Sequence, residues 1–139
     1  MKSQFILIDK PKDWTSHDAV AKVRGIARKE TGIKKIKVGH AGTLDPFATG
    51  LLIIGIGRES TKKLDEFKAL PKTYVATIKL GATSDTQDSA GKITETKKQE
   101  STKAPNEKEI IKVLKDFIGK QLQTPPMYSA KKVGGKKTV

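Results

Sequence analysis

The chain has 139 residues, no cysteine, and 28 lysines and arginines against 15 acidic residues, for a formal net charge of +13. Without Cys, neither a disulfide framework nor a thiolate metal site can form. The longest apolar run is Leu51-Leu52-Ile53-Ile54, far short of the roughly 20 residues a membrane helix needs, and Met1 to Asp9 offers only Phe5 to Ile8 as an apolar stretch, too little for a secretory signal. A soluble, cytoplasmic chain is expected. The length suits a domain of ordinary size. The excess charge is almost all lysine, with Arg24, Arg28 and Arg58 the three arginines. Lysine is a hydrated point charge suited to phosphate, so the charge points to a polyanion held through its backbone; a merely solubilising surface is the alternative.

Phe5 to Ile8 reads as a short buried strand stopped by Lys10-Pro11. Thr15 or Ser16 can cap a helix, with Asp18 in the capping-box position after Thr15. Ala19, Val20, Val23, Ile26 and Ala27 follow at helical spacing, and Gly32 suits the stop. Arg24, Arg28 and Lys29 lie off that stripe. Ile36 to Val38 is a brief extended piece. Leu51 to Ile56 reads as a strand covered on both faces. Ser60 to Leu70 reads as one helix with Leu64, Phe67 and Leu70 inward, ended by Pro71. Lys72 to Leu80 alternates, with Tyr74, Ala76, Ile78 and Leu80 on one face. Gly81 to Gly91 is a turn-rich loop, and Lys92 to Lys97 can return as a strand. Lys98 to Ala104 reads as an exposed connection. Asn106 caps a further helix with Glu109 in the capping-box position; Ile110, Ile111, Leu114, Phe117 and Ile118 form its stripe and Gly119 its end. Lys120 to Thr124 reads as a last strand, and Ser129 to Val139 has little to bury. Neither an internal repeat nor a linker divides the chain. Interleaved strands and helices favour a mixed fold over all-α or all-β.

Gly39 to Gly50 packs three glycines, His40, Asp45 and Pro46 between two strands, the kind of loop where binding and catalysis concentrate. Asp45 precedes Pro46 and is pushed toward extended backbone. On spacing alone its carboxylate reads as a cap for the turn Pro46 to Thr49. Other patterns carry less. Gly55-Ile56-Gly57 lacks the third glycine of a dinucleotide fingerprint, and no Gly-Lys-Ser/Thr is present. His17 and His40 stand 23 residues apart without Cys, which argues against zinc. Ser16-His17-Asp18 is a capping sequence, since contiguous residues cannot adopt triad geometry. Asp85 and Asp88 lack calcium-loop spacing. Tyr74, on a strand face, reads from its pattern as core.

Four blocks in order resemble the bacterial TruB family of tRNA pseudouridine synthases over essentially the whole chain: Lys10-Pro11 with Trp14-Thr15-Ser16-His17-Asp18; Gly39 to Gly50; Lys72-Thr73-Tyr74 with Leu80-Gly81 and Thr83-Ser84-Asp85-Thr86; and Pro125-Pro126-Met127-Tyr128-Ser129-Ala130 with Lys132. The resemblance implies an α+β fold, a mixed and largely antiparallel sheet flanked by helices, incomplete in this chain. Residues 1–139 would be the N-terminal portion of the catalytic domain. The family's later blocks, with a basic partner for the catalytic Asp and an apolar residue against the base, are absent from these residues, as is its C-terminal RNA-binding module. The implied reaction turns a uridine of the tRNA T-loop, uridine 55, into pseudouridine by flipping the base and rejoining it to the ribose through carbon. It implies an isomerase that uses neither metal nor cofactor, acting on the T-arm as a monomer without an obligate protein partner.

By the same resemblance Asp45 is the catalytic residue; action on the base, on the ribose carbon or on a ribose proton are all open to it. Tyr74 would stack on the target base, against the core reading from its pattern. His40 would wedge into the T-loop, and Lys62 would contact the RNA backbone. Lys10, Pro11, Gly39, Gly42, Thr43 and Leu44 would support the active-site loop. A non-catalytic tRNA-binding or folding fragment of the same family is the alternative.

Overall fold

The β-favouring run Phe5 to Ile8 seeds strand β1, Gln4–Lys10, in the computed structural model, which describes residues 4–96, 104–124, 132–133 and 136–137. Helix α1 (Ser16–Thr31), strands β2 (Val38–His40) and β3 (Gly50–Ile56), and short helices α2 (Arg58–Lys62) and α3 (Leu64–Lys68) follow. After them come hairpin β4 (Ala82–Ser84) and β5 (Ile93–Glu95), helix α4 (Glu107–Leu114) with a 3-10 turn at Lys115–Phe117, and two-residue strands β6 (Lys132–Val133) and β7 (Lys136–Lys137). Every strand pair is antiparallel, which gives the expected α+β class. The chain forms two compact units, Met1–Val75 and Ala76–Val139; the division falls inside the alternating segment 72–80.

In the first unit β3 is central, in the order β1-β3-β2. Its Leu52, Ile54 and Ile56 share one face and meet Ala19, Val20, Val23 and Ala27 of α1, with Ile6 and Ile8 of β1 packed alongside. The α1 boundaries are the expected ones. Thr15 Oγ1 accepts from the Asp18 N–H at 3.0 Å while an Asp18 carboxylate oxygen accepts from the Thr15 N–H at 2.9 Å, and Gly32 (φ 70°) closes the end. Two expectations fail here. β1 is an edge strand packed on the core only by its Ile6 and Ile8 face, with Phe5 alone partly covered on the other, so Leu7 is exposed where a buried strand was expected. The α1 contact stripe is likewise narrow, and Ile26 on its flank is 49% exposed.

The opposite face of the sheet carries a hollow. Gly39 and Gly55 are cross-strand partners. A Cβ at Gly39 would stand 3.1 Å from one Leu64 methyl, and one at Gly55 would stand 3.2 Å from the other and from the Ser60 carbonyl carbon. The glycine pair therefore admits Leu64, which is buried, and Phe67 meets Phe5 edge-on at 4.8 Å between ring centres. The single helix expected over Ser60 to Leu70 is instead broken at Lys63, and Leu70 is exposed. β3 is covered on both faces only near Gly55; Leu51 at its start is 64% exposed.

In the second unit no described residue is buried. Asp85 accepts from the Lys92 N–H at 2.8 Å, and Asp88 accepts from the Ala90 N–H at 2.8 Å and the Thr86 hydroxyl at 2.6 Å. Both carboxylates are thus spent on the turn between β4 and β5, and the Thr86 hydrogen bond holds the Asp88 carboxyl below its ordinary value. No metal-binding group of side chains occurs among the described residues. Asn106 and Glu109 form the expected capping box, but Ile110, Ile111, Leu114, Phe117 and Ile118 are all exposed. Lys72–Leu80 and Lys120–Thr124, expected as strands, belong to none. Alternation prepares a face, whereas a strand also needs a ladder partner, and no described strand pairs with either. The expected extended piece at Ile36 begins instead at Val38. The block Pro125 to Ala130 and most of the connection from Lys98 lie outside the described residues.

Candidate active site

Residues 41–49 connect β2 to β3. The Ala41 N–H donates to the Ile53 carbonyl at 2.9 Å, which carries the ladder one step into the loop. The turn at Pro46 closes through main chain: the Ala48 N–H donates to the Asp45 carbonyl at 3.0 Å. The capping reading of Asp45 is thereby corrected. Its carboxylate is exposed and has no hydrogen-bond or ion-pair partner among the described residues. Extended backbone before a proline would suit an N-cap, but here the Asp45 carbonyl alone takes up the Ala48 N–H and the side chain is left out of the turn.

The residues on both sides of Asp45 are pinned. Lys10 is fully buried, and its ammonium donates to the carbonyls of Trp14 at 2.6 Å, Pro11 at 3.0 Å and Pro46 at 3.3 Å. Three acceptors match its three protons, which is what allows a cation to be buried without a carboxylate. The Pro46 carbonyl also accepts from the Asp13 N–H at 2.8 Å, and Asp13 adopts a left-handed φ of 65°. On the other side, the buried Ser16 hydroxyl accepts from the Leu44 N–H at 2.9 Å and donates to the Leu44 carbonyl at 3.2 Å. Ser16 is thus a support of the loop, a role beyond the capping expected of it. The available signal was its place on the same helical stripe as Ala19, Val20 and Val23, which marks a side chain turned inward.

His40 closes β2. Its Nδ1 bonds to the Gly42 carbonyl; a carbonyl only accepts, so Nδ1 is the donor. A cleft of about 590 Å³ runs along the open edge of β2, with Gly39, His40, Gly42 and Thr43 in its wall. Val20, Val38 and Leu64 give it apolar lining, and Arg24 and Lys68 also line it. Asp45 is not among the lining residues. Lys62 lies on α2 and donates to Glu59 at 3.2 Å, and Tyr74 is 69% exposed; neither makes a hydrogen bond to the loop. The fold thus gathers Lys10, Pro11, Leu44 and Asp45 in one cluster and Gly39, His40, Gly42 and Thr43 in the neighbouring cleft, and leaves Lys62 and Tyr74 outside both.

The chain is similar to known proteins over nearly all its length. It is 43% identical over 137 residues to the tRNA pseudouridine synthase B of Phocaeicola vulgatus, covering 98% of this chain and 56% of that protein. It is 44% identical over 138 residues to the enzyme of that name from Parabacteroides distasonis (96% and 55%) and 46% identical over 132 residues to that of Aquifex aeolicus (95% and 42%). The chain spans about half the length of the curated relatives it matches. A family model described as TruB family pseudouridylate synthase (N terminal domain) matches residues 28–139, a span that contains the Asp45 loop and β3. The chain therefore belongs to the TruB family of pseudouridylate synthases, to the part that forms the N-terminal domain.

Proposed function

We propose that this chain, as the N-terminal portion of the catalytic domain, supplies the carboxylate that isomerises uridine 55 in the T-loop of tRNA to pseudouridine. The shared name of the relatives supports tRNA as the substrate and pseudouridine formation as the reaction. One observation carries the role of Asp45: its carboxylate is unpaired among the described residues, while its neighbours Leu44 and Pro46 are held by Ser16 and by Lys10 with Asp13. A carboxylate consumed by a cap could not meet a ligand; this one is free and its backbone is pre-positioned.

In the reaction the bond from ribose C1′ to N1 breaks, a bond from C1′ to C5 forms, the C5 hydrogen leaves as a proton, and N1 gains one. Atoms and electrons balance without an oxidant or reductant, and the reading calls for no metal or cofactor. A uridine within a folded loop must leave its stack before a side chain can reach it. In this reading His40 fills the vacated place, Tyr74 stacks on the extruded base, and Lys62 contacts the backbone; the exposure of Tyr74 and Lys62 supports a role toward a ligand rather than in the core. The protein acts as a cytoplasmic monomer on the T-arm.

The test is tritium release from 5-tritiated uridine in a T-stem-loop. In a version extended to the length of the relatives, Asp45→Asn should lower turnover by at least about 10²-fold and leave T-arm binding nearly intact; retained turnover overturns the assignment. The same assay on the 139-residue chain separates the second reading, since binding without release identifies a non-catalytic tRNA-binding fragment.

A further inference from the structure

The cleft along β2 is one-sided in its chemistry. Arg24, Lys37 and Lys68 line it together with His17 and His40, and no carboxylate among the described residues does. The Arg24 guanidinium is oriented by a bond from one terminal nitrogen to the Val38 carbonyl at 3.1 Å, which leaves its other N–H groups available in a fixed plane. Lys37 has no ion-pair partner among the described residues, and Lys68 pairs with Asp65 at 2.7 Å in an exposed contact of the kind worth little. The strand register adds backbone donors. The Gly57 N–H reaches the Lys37 carbonyl at 2.8 Å and the Ala41 N–H reaches the Ile53 carbonyl at 2.9 Å. Residues 37, 39 and 41 therefore bond to β3, and the N–H groups of Val38 and His40 turn to the open edge. The volume of about 590 Å³ lies within the range of ligand sites.

An oriented guanidinium, a free ammonium and edge N–H groups are the donors that a phosphate takes up. We infer that this cleft binds a phosphodiester of the RNA, with Arg24 and Lys37 as its ligands, as a backbone anchor that shares Gly42 and Thr43 with the Asp45 loop. The inference rests on the RNA reading above.

The experiment measures affinity of the 139-residue chain for a T-stem-loop across a salt series. Arg24→Ala with Lys37→Ala should lower the slope of log affinity on log salt by about 1 to 2 and weaken binding about 10-fold or more at low salt. Lys112→Ala with Lys115→Ala, which removes the same charge from the α4 region, should leave the slope unchanged. Arg24→Lys, which keeps the charge, should retain most of it, separating lost contact from a damaged β2 edge. An unchanged slope in the first variant, or an equal fall in the α4 variant, overturns the site. If the wild-type chain binds no RNA, the RNA reading fails, and inorganic phosphate decides the cleft separately. Amide shifts at Val38 and His40 on adding phosphate, abolished by Arg24→Gln, uphold an anion site; no shift there overturns it.

Discussion

Helices α1 and α4 start in the same way and end up in different surroundings. Thr15 with Asp18 and Asn106 with Glu109 build equivalent capping boxes, and each helix carries an apolar stripe at helical spacing. α1 buries its stripe against β3, whereas every apolar residue of α4 is exposed. The difference shows that a cap and a stripe are local properties that make a helix possible, while burial is supplied by a complementary face. In the first unit that face is the even-numbered side of β3, from Leu52 to Ile56. The Asp45 loop is strung between elements of that same unit, so the precision of the candidate site depends on its core.

The comparison can be broken most directly by truncating one residue in each stripe's surroundings. Ile54→Ala removes a fully buried side chain and should cost about 2–5 kcal/mol, read as a fall in the urea midpoint. Leu114→Ala should change stability by less than about 0.5 kcal/mol. Equal costs would show that the two units are not energetically distinct. Lys10→Met should come next. It keeps the bulk of a buried side chain but strips a donor from the carbonyls of Pro11, Trp14 and Pro46, at about 1–3 kcal/mol for a buried acceptor left unpaired. Its effect should be confined to the unfolding of the first unit, with faster hydrogen exchange at the Leu44 and Ala48 amides.

Smaller effects sharpen the contrast between the two caps. Thr15→Ala should lower the stability of the first unit by about 1 kcal/mol. Asn106→Ala should reduce helix content, seen by circular dichroism, without moving the midpoint reported by the Trp14 fluorescence. The smallest effect is pH-dependent. Hydrogen bonds from Thr15, side chain first and then backbone, lower the Asp18 carboxyl below its ordinary value. A depressed carboxylate pKa contributes stability above the unfolded value and loses it as pH falls through the folded one. The gap between the wild-type chain and Asp18→Asn should therefore be present at neutral pH and close in acid below about pH 4; a gap that widens in acid would contradict the assigned bonds.

Local chemistry was legible in the sequence wherever one residue and its near neighbours sufficed. The caps at Thr15 and Asn106, the stop at Gly32, the β-branched strand to Ile56 and the Gly39 to Gly50 loop all follow from short-range rules, and the motif blocks carried the family. What depended on a distant partner was not legible. The alternation of Lys72 to Leu80 could not say whether a neighbouring strand would complete it, and the stripe of α4 could not say what would cover it. The run from Ser60 to Leu70 could not reveal that Leu64 drops into a hollow made by Gly39 and Gly55, residues that meet only through the register of β2 on β3. Asp45 shows the division at a single residue. Its type and its place before Pro46 are written in the chain, but spacing favoured a cap. Only the fold brings the Lys10 ammonium, the Asp13 amide and the Ser16 hydroxyl to its neighbours Pro46 and Leu44, because hydrogen bonds across 28 and 36 residues exist only once the sheet and α1 have packed.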